Sequence, residues 1–283
     1  MHERTGWMMT IVAVMIAGGA LPARAVEAAD YAKLINDKAP ALVTIKFVLK
    51  VSMGAMMGPE QESENEITAV MIDPKGVLLC SNTQLSGFTG MMRRLMGSMG
   101  SEISARPLDL RVLIGDEAKE HEAELLARDS ELDLAWVKIK EPGDRTFEHV
   151  DFATGTKLEL GQEVVVVRRL DKFFARTPAV SHGRVGGITR KPRDLYIPTG
   201  EVVTALGLPV YTTDGRVAGF TVMQAPDEED TEMNPMAVFS RLSSLQNIMA
   251  AVVLPAADVA KATRRAMESA ETESAENEST EIE

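Results

Sequence analysis

Short runs of β-branched and aliphatic residues, bounded by turn residues, recur through this chain at intervals that leave room for strands and little else. A first set comprises Ala41–Val51, Ile67–Ile72, Val77–Cys80, Leu110–Ile114, Ala123–Ala127 and Leu134–Ile139. A second comprises Val164–Val167, Ala179–Ile188, Val202–Thr204, Pro209–Thr212, Val217–Met223 and Ala250–Leu254. Many short strands in two groups predict an all-β chain whose sheets close on themselves, one barrel per group. Only the ends read as helical. Ala28 to Ala39 is amphipathic, and a helix from Ala256 to about Ser269 follows Pro255, with Asp258 near its first turn and Arg264 and Arg265 later, as the helix dipole favours.

These barrels must be held by their cores. Cys80 is the only cysteine, so no intrachain disulfide can form, and its place inside the apolar run Val77 to Ser81 predicts a buried, inert thiol. Aromatic residues make up 5% of the 283 residues, which leaves Val, Leu, Ile and Met to fill the interior. At the N-terminus, Arg4, the apolar stretch Trp7 to Leu21 and the small-x-small pattern Ala23-Arg24-Ala25 form an export signal with cleavage expected after Ala25. Retention of that segment as an anchor is the minor alternative, and no later stretch is long and apolar enough to span a bilayer. The expected organisation is a signal at 1–25, a first barrel with its N-terminal helix at 26–145, a second barrel with its C-terminal helix at 146–267, and a tail at 268–283. The tail holds seven glutamates and no basic residue, so disorder is expected there. A formal charge of −12 disfavours nucleic acid and anionic membrane surfaces as partners.

Three segments carry a resemblance. Ala69-Val70-Met71-Ile72-Asp73-Pro74-Lys75-Gly76-Val77-Leu78-Leu79-Cys80-Ser81-Asn82-Thr83-Gln84-Leu85 resembles the strand, turn and strand that end in the T-N-x-H-V motif of trypsin-like serine proteases, nearest the bacterial HtrA/Deg branch. Asp129-Ser130-Glu131-Leu132-Asp133-Leu134-Ala135-Trp136-Val137-Lys138-Ile139 is similar to the segment bearing the triad aspartate. Thr204-Ala205-Leu206-Gly207-Leu208-Pro209-Val210, followed by Asp214-Gly215-Arg216-Val217-Ala218-Gly219-Phe220, resembles the G-N-S-G-G-P nucleophile loop and its hairpin. Between them, Gly161-Gln162-Glu163-Val164 looks like the family's G-x-x-V strand, with Arg168-Arg169-Leu170 in place of a G-N-P turn. The order is base, aspartate, nucleophile, over roughly residues 30 to 262. The resemblance implies two packed six-stranded antiparallel β-barrels; the PDZ domain that often follows in the family is not expected here.

It also places Gln84 on the histidine and Leu206 on the serine, while Asp133 keeps the aspartate. Glutamine cannot take and return a proton near neutral pH, and leucine offers no nucleophile. Thr204 and Ala205 replace the glycine and asparagine that shape the oxyanion hole. No catalytic set is intact on this reading, and Asp133 is expected to be a partly buried carboxylate accepting hydrogen bonds from main-chain amides or the Gln84 amide. His121, His149 and His182 stand in polar stretches without metal-ligand spacing, and adjacent strand residues Ser181 and His182 face opposite ways.

Two methionine clusters remain: Met53, Met56 and Met57 in the first hairpin loop, and Met91, Met92, Met96 and Met99 after Gln84. Both are expected to border the cleft, as an adaptable apolar surface for a peptide or partner or as local core filling. The reading that results is an exported pseudoprotease that binds a protein or peptide in the cell envelope, with no cofactor and no metal. Alternatives are an endopeptidase working through non-standard residues and a methionine-based Cu(I) carrier.

Overall fold

The computed structural model describes residues 28–52, 59–87, 89, 104–115, 117–191, 193–224 and 250–280. Helix α1 (Ala28–Lys38) leads through a 3₁₀ turn at Ala39–Ala41 into the first barrel. That barrel comprises β1 (Leu42–Ser52), β2 (Gln61–Met71), β3 (Val77–Ser81), β4 (Ser104–Ile114), β5 (Glu120–Asp129) and β6 (Leu134–Ile139). It closes in the order β1-β2-β3-β6-β5-β4. The second comprises β7 (Glu163–Arg169), β8 (Pro178–Thr189), β9 (Leu195–Gly200), β10 (Pro209–Thr212), β11 (Val217–Gln224) and β12 (Ala250–Pro255), closed as β10-β11-β12-β9-β8-β7. A one-turn helix α2 (Asn82–Leu85) follows β3, and helix α3 (Ala256–Thr280) follows β12. Two closed six-stranded antiparallel barrels with a short N-terminal helix and a C-terminal helix are therefore observed as expected.

The period-two alternation of strands decides which residues fill each barrel and which fill the seam between them. On β6, Ala135, Val137 and Ile139 point into the first barrel, while Leu134 and Trp136 join the core of the second. The same division separates Leu78 and Cys80 from Leu79 on β3, and Ala69 and Met71 from Val70 on β2. A strand read with its register slipped by one would invert both sets, so the apolar residues on both faces of β6 fix how the barrels meet. In β7, Val164 to Val167 are all buried, which requires cover on both faces of that strand.

Helix α3 clasps the two barrels. Val259, Ala262 and Ala266 lie in the seam core, and the Trp136 indole N–H on β6 donates to the Thr263 hydroxyl at 3.1 Å. Arg169, from the Arg-Arg-Leu segment that replaces the expected turn, reaches back to the carbonyls of Leu42 (3.1 Å) and Ala39 (3.4 Å). Arg176 forms a paired contact with Glu66 of β2 at 3.0 and 3.1 Å. Each is a link from the second barrel to the start or wall of the first.

Two expectations fail. Val202–Thr204 is not a strand; it lies within a 3₁₀ turn, Glu201–Thr204, and the strand that completes the sheet is β9. Pro198 within Leu-Tyr-Ile-Pro-Thr-Gly hides that strand from pattern reading, because proline cannot donate to a ladder. Helix α3 also continues to Thr280, where disorder was expected from Glu268. A docked helix has already met the cost of nucleation, and the glutamates and alanines that follow favour its propagation. Residues 1–27 and the tail beyond 280 lie outside the described residues, and with them the expected signal. Among the described residues no helix is long and apolar enough to cross a membrane.

Candidate functional site

The site lies where β3, the β5–β6 turn and the loop between the 3₁₀ turn and β10 converge. Ser81 ends β3 in an extended conformation and caps α2: its hydroxyl oxygen accepts from the Gln84 amide at 3.2 Å. Ser-x-x-Gln is the sequence signature of such a cap. The same hydroxyl donates to a carboxylate oxygen of Asp133 at 2.9 Å. Thus one serine both shapes the turn that carries Gln84 and ties it to the aspartate.

Asp133 itself is 2% exposed and sits in the left-handed region at φ 59°. Its backbone is held by the turn before it, where Asp129 accepts from the amides of Glu131 (3.1 Å) and Leu132 (2.9 Å). Its carboxylate accepts from the Thr83 amide at 2.6 Å and from the Met223 amide at 2.8 Å as well as from Ser81. Met223 belongs to β11, so the carboxylate joins the two barrels. Burial pushes the Asp133 carboxyl above the usual carboxylate range, against the pull of the hydrogen bonds from Met223, Thr83 and Ser81. The expected main-chain donors are present; Gln84, whose side chain was an alternative donor, takes no part.

Instead the Gln84 side-chain oxygen turns to the opposite loop. It is buried without a hydrogen-bond partner, and a Cβ placed on Gly207 would come within 2.5 Å of it. Gly207 has φ 76°, and its missing side chain is what lets the loop lie this close to Ser81 and Gln84. The structure thereby brings Gln84, Asp133 and the Leu206 loop into one place, as the three segments require. Leu206 is half-buried at the centre, Ala205 is buried and Thr204 is exposed.

The amides around Leu206 are turned inward. The Ala205 N–H donates to Val202 O at 3.1 Å, and the Gly207 N–H donates to Thr221 O at 2.9 Å. Thr204 ends the 3₁₀ turn, whose geometry directs its amide back towards Glu201, and its hydroxyl donates to Glu201 O at 2.8 Å. Thr221, buried on β11, fixes this arrangement: its hydroxyl oxygen accepts from the Leu208 amide at 2.9 Å, and the hydroxyl lies against Ala205 O.

The remaining candidates are elsewhere. His121 lies on β5 opposite Val112, 3.9 Å from Glu117; His182 lies on β8 opposite Val165, 4.0 Å from Glu163; and the His149 ring is 3.3 Å from Phe147 O. Ser181 is buried while its neighbour His182 is half-exposed, as strand alternation demands. The Cys80 thiol is buried, contacts Ala135 O at 3.7 Å, and is pushed up to about 12 by burial, with the nearby Asp133 charge adding to the shift. Among the described residues no group of three or more His, Cys, Asp or Glu side chains could hold a metal ion. Met53, Met56, Met57, Met91, Met92, Met96 and Met99 all lie outside the described residues. Sequence reasoning missed Ser81, Thr83, Thr221 and Met223. Ser81 was legible as a cap, whereas the other three are recruited by contacts over long separations.

A family match agrees with this geometry in fold. Residues 97–220 match the family described as "Trypsin-like peptidase domain". No curated protein matches the chain. Among solved structures, Deg5 is similar at 16% identity and a TM-score of 0.46, over 68% of this chain and 83% of that one. The MamO protease domain from Magnetospirillum magneticum, in its apo form, is similar at 14% identity and the same TM-score, over 80% of this chain and 96% of that one. The two closed barrels together with the family match give a trypsin-like protease fold, and the matched segment includes Asp133 and Leu206 but not Gln84.

Proposed function

We propose that this chain is an exported pseudoprotease, a trypsin-like double barrel that binds a peptide or protein segment in the cell envelope and does not cleave it. The observation that carries the proposal is the inward closure of the site. Asp133 is fully engaged by Ser81, Thr83 and Met223, and no histidine accompanies it. Leu206 stands where a nucleophile would, Thr204 stands where the donor glycine of the oxyanion hole would, and the loop around them is closed by the Ala205 N–H on Val202 O and the Gly207 N–H on Thr221 O. A triad works as a unit, so a site lacking base and nucleophile retains little of its chemistry.

What such a site offers is recognition. A half-buried leucine at the centre supplies an apolar contact for a side chain of an extended segment, and the braced loop around it needs no reordering on binding. The methionines flanking the site in sequence would widen that contact on the same reading.

Two measurements on the full chain test this. A serine-directed phosphonate probe should leave the chain unlabelled under conditions that label an active protease of the same fold. Fluorescent peptides with aliphatic side chains should bind without fragmentation, and Leu206→Asp should abolish their binding while leaving the fold intact by circular dichroism. Labelling, or fragments in the mixture, would overturn the proposal.

A further inference from the structure

The β7–β8 connection ends in two exposed aromatic rings. Phe173 is 85% exposed and Phe174 53%, their rings edge to face with centroids 5.0 Å apart. Exposed large apolar side chains are ordinary one at a time; a stacked pair at the tip of a loop is not.

This loop is braced rather than slack. Asp171 accepts from the Phe173 amide at 2.8 Å, and its carbonyl accepts from the amides of Phe174 and Arg176, both at 3.1 Å. The Ala175 amide donates to Lys172 O at 3.1 Å and the Thr177 amide to Phe174 O at 3.0 Å. Every main-chain amide from Phe173 to Thr177 thus has an acceptor inside the loop. Ala175 and Arg176 both adopt left-handed conformations, φ 52° and 51°, a cost that persists only where surrounding contacts over-determine it. Those contacts are the Arg169 guanidinium on Arg176 O at 3.2 Å and the Arg176–Glu66 pair.

We infer that this tip, Lys172-Phe173-Phe174, is a shallow lipid-docking element that seats both rings in the interface of a bilayer. Two features of the tip suit lipid, and the first tells against a protein partner. The first is area. Two phenyl rings at these exposures present roughly 200–350 Å², well below the roughly 800 Å² per partner of a stable protein interface. Nor do the other exposed large apolar residues of this barrel, among the described residues, adjoin the tip along its strands. Leu160 precedes β7, Ile188 ends β8 and Ile197 on β9 pairs with Gly187, so these lie at the opposite end of strands whose near ends carry the tip, and Val203 lies in the 3₁₀ turn beyond β9. Seven residues of β7 put about 20 Å between those ends. The second feature is hydrogen bonding. The apolar layer beneath the headgroups offers no partners to main-chain groups, so a loop whose rings enter it must satisfy its amides internally, and from Phe173 to Thr177 this one does.

The chain's formal charge of −12 sets the lipid class. Exposed Lys172 beside the rings suits the headgroup layer, but the acidic molecule as a whole is repelled by an anionic surface. The fit is therefore to a zwitterionic surface, with docking driven by apolar burial.

The test places an environment-sensitive fluorophore on the thiol of Lys172→Cys in the full chain, the buried Cys80 being inaccessible to label. Phosphatidylcholine vesicles should raise and blue-shift its emission, and adding Phe173→Ala and Phe174→Ala should lower the apparent partition by about tenfold or more. Replacing part of the lipid with phosphatidylglycerol at low salt should weaken the signal. An unchanged emission at saturating vesicles overturns the inference, as does a response that survives loss of both rings or strengthens on anionic lipid. An emission change that depends on protein concentration without lipid would show the tip covered by a second copy, and would overturn it too.

Discussion

Replacing Asp133 by alanine removes the acceptor for two buried main-chain amides, Thr83 at 2.6 Å and Met223 at 2.8 Å, and for the Ser81 hydroxyl. Each stranded amide costs about 1–2 kcal/mol, while the hydroxyl can turn elsewhere. Alanine at φ 59° adds about 1 kcal/mol that aspartate and asparagine largely avoid. Burial works the other way, because a carboxylate held above its usual pKa returns some desolvation energy when deleted. The net expectation is a loss of about 3 kcal/mol for Asp133→Ala and about 1 kcal/mol for Asp133→Asn, which keeps one acceptor oxygen and the backbone conformation. Denaturant unfolding of the full chain, followed by tryptophan fluorescence and circular dichroism together, measures both. The sign with pH is also fixed. A carboxyl whose folded pKa is raised binds protons better folded than unfolded, so its stabilising contribution is present below the unfolded pKa and lost as pH rises through the folded one. Asparagine does not titrate, so the gap between wild type and Asp133→Asn should widen on acidification. An alanine variant within about 1 kcal/mol of wild type, or a gap that narrows in acid, would refute the view of Asp133 as a buried rivet between barrels.

Other outcomes follow from the same contacts. Gly207→Ala should cost about 1–2 kcal/mol from its left-handed backbone alone, and combining it with Gln84→Ala should relieve only the added clash with the Gln84 oxygen, as a double-mutant cycle in denaturant would read. Installing Gln84→His with Leu206→Ser should leave the chain unlabelled by a phosphonate probe, since Thr204 and Ala205 still replace the glycine and asparagine that shape the oxyanion hole, with Thr204 held in its 3₁₀ turn by Glu201 O. Cys80 should resist maleimide in the folded chain. With its thiol held protonated up to about 12, its contribution is intact below the ordinary thiol value of 9.0 and falls as pH rises above it. Relative to Cys80→Ala, wild type should lose about 1.4 kcal/mol for each pH unit above that point until the folded thiol itself ionises.

The sequence carries the fold wherever burial alone determines a strand. β1, β3, β6, β7 and β11 read directly because their apolar residues face a core on one side or both. β2 and β4 begin six residues earlier than pattern suggests, at Gln61 and Ser104, since their first halves are polar and are held as strands by pairing with the far half of β1. β9 was illegible because Pro198 breaks its pattern while its neighbours β8 and β12 supply the ladder. At the site, residue identities at Gln84, Asp133 and Leu206 announced what is missing. They could not announce what replaces it, since Met223 is 90 residues from Asp133 in sequence and Thr221 is 16 from Ala205. The role of Arg169 as a tether to Leu42 and Ala39 was equally hidden, because an arginine beside a strand end reads as surface until its acceptors are known.

The clasp formed by α3 also gives assembly a direction in time. All six strands of the first barrel are made by Ile139, so that barrel can close while the rest of the chain is still being synthesised. The second must wait for β12, which ends at Pro255, and the helix that fastens the two together begins at the next residue. A nascent chain halted short of Thr263 would hold two completed barrels with the indole N–H of Trp136 still lacking its acceptor and the seam residues around it uncovered. The order of translation is then the order of closure, and the last element made is the one that turns two barrels into one molecule.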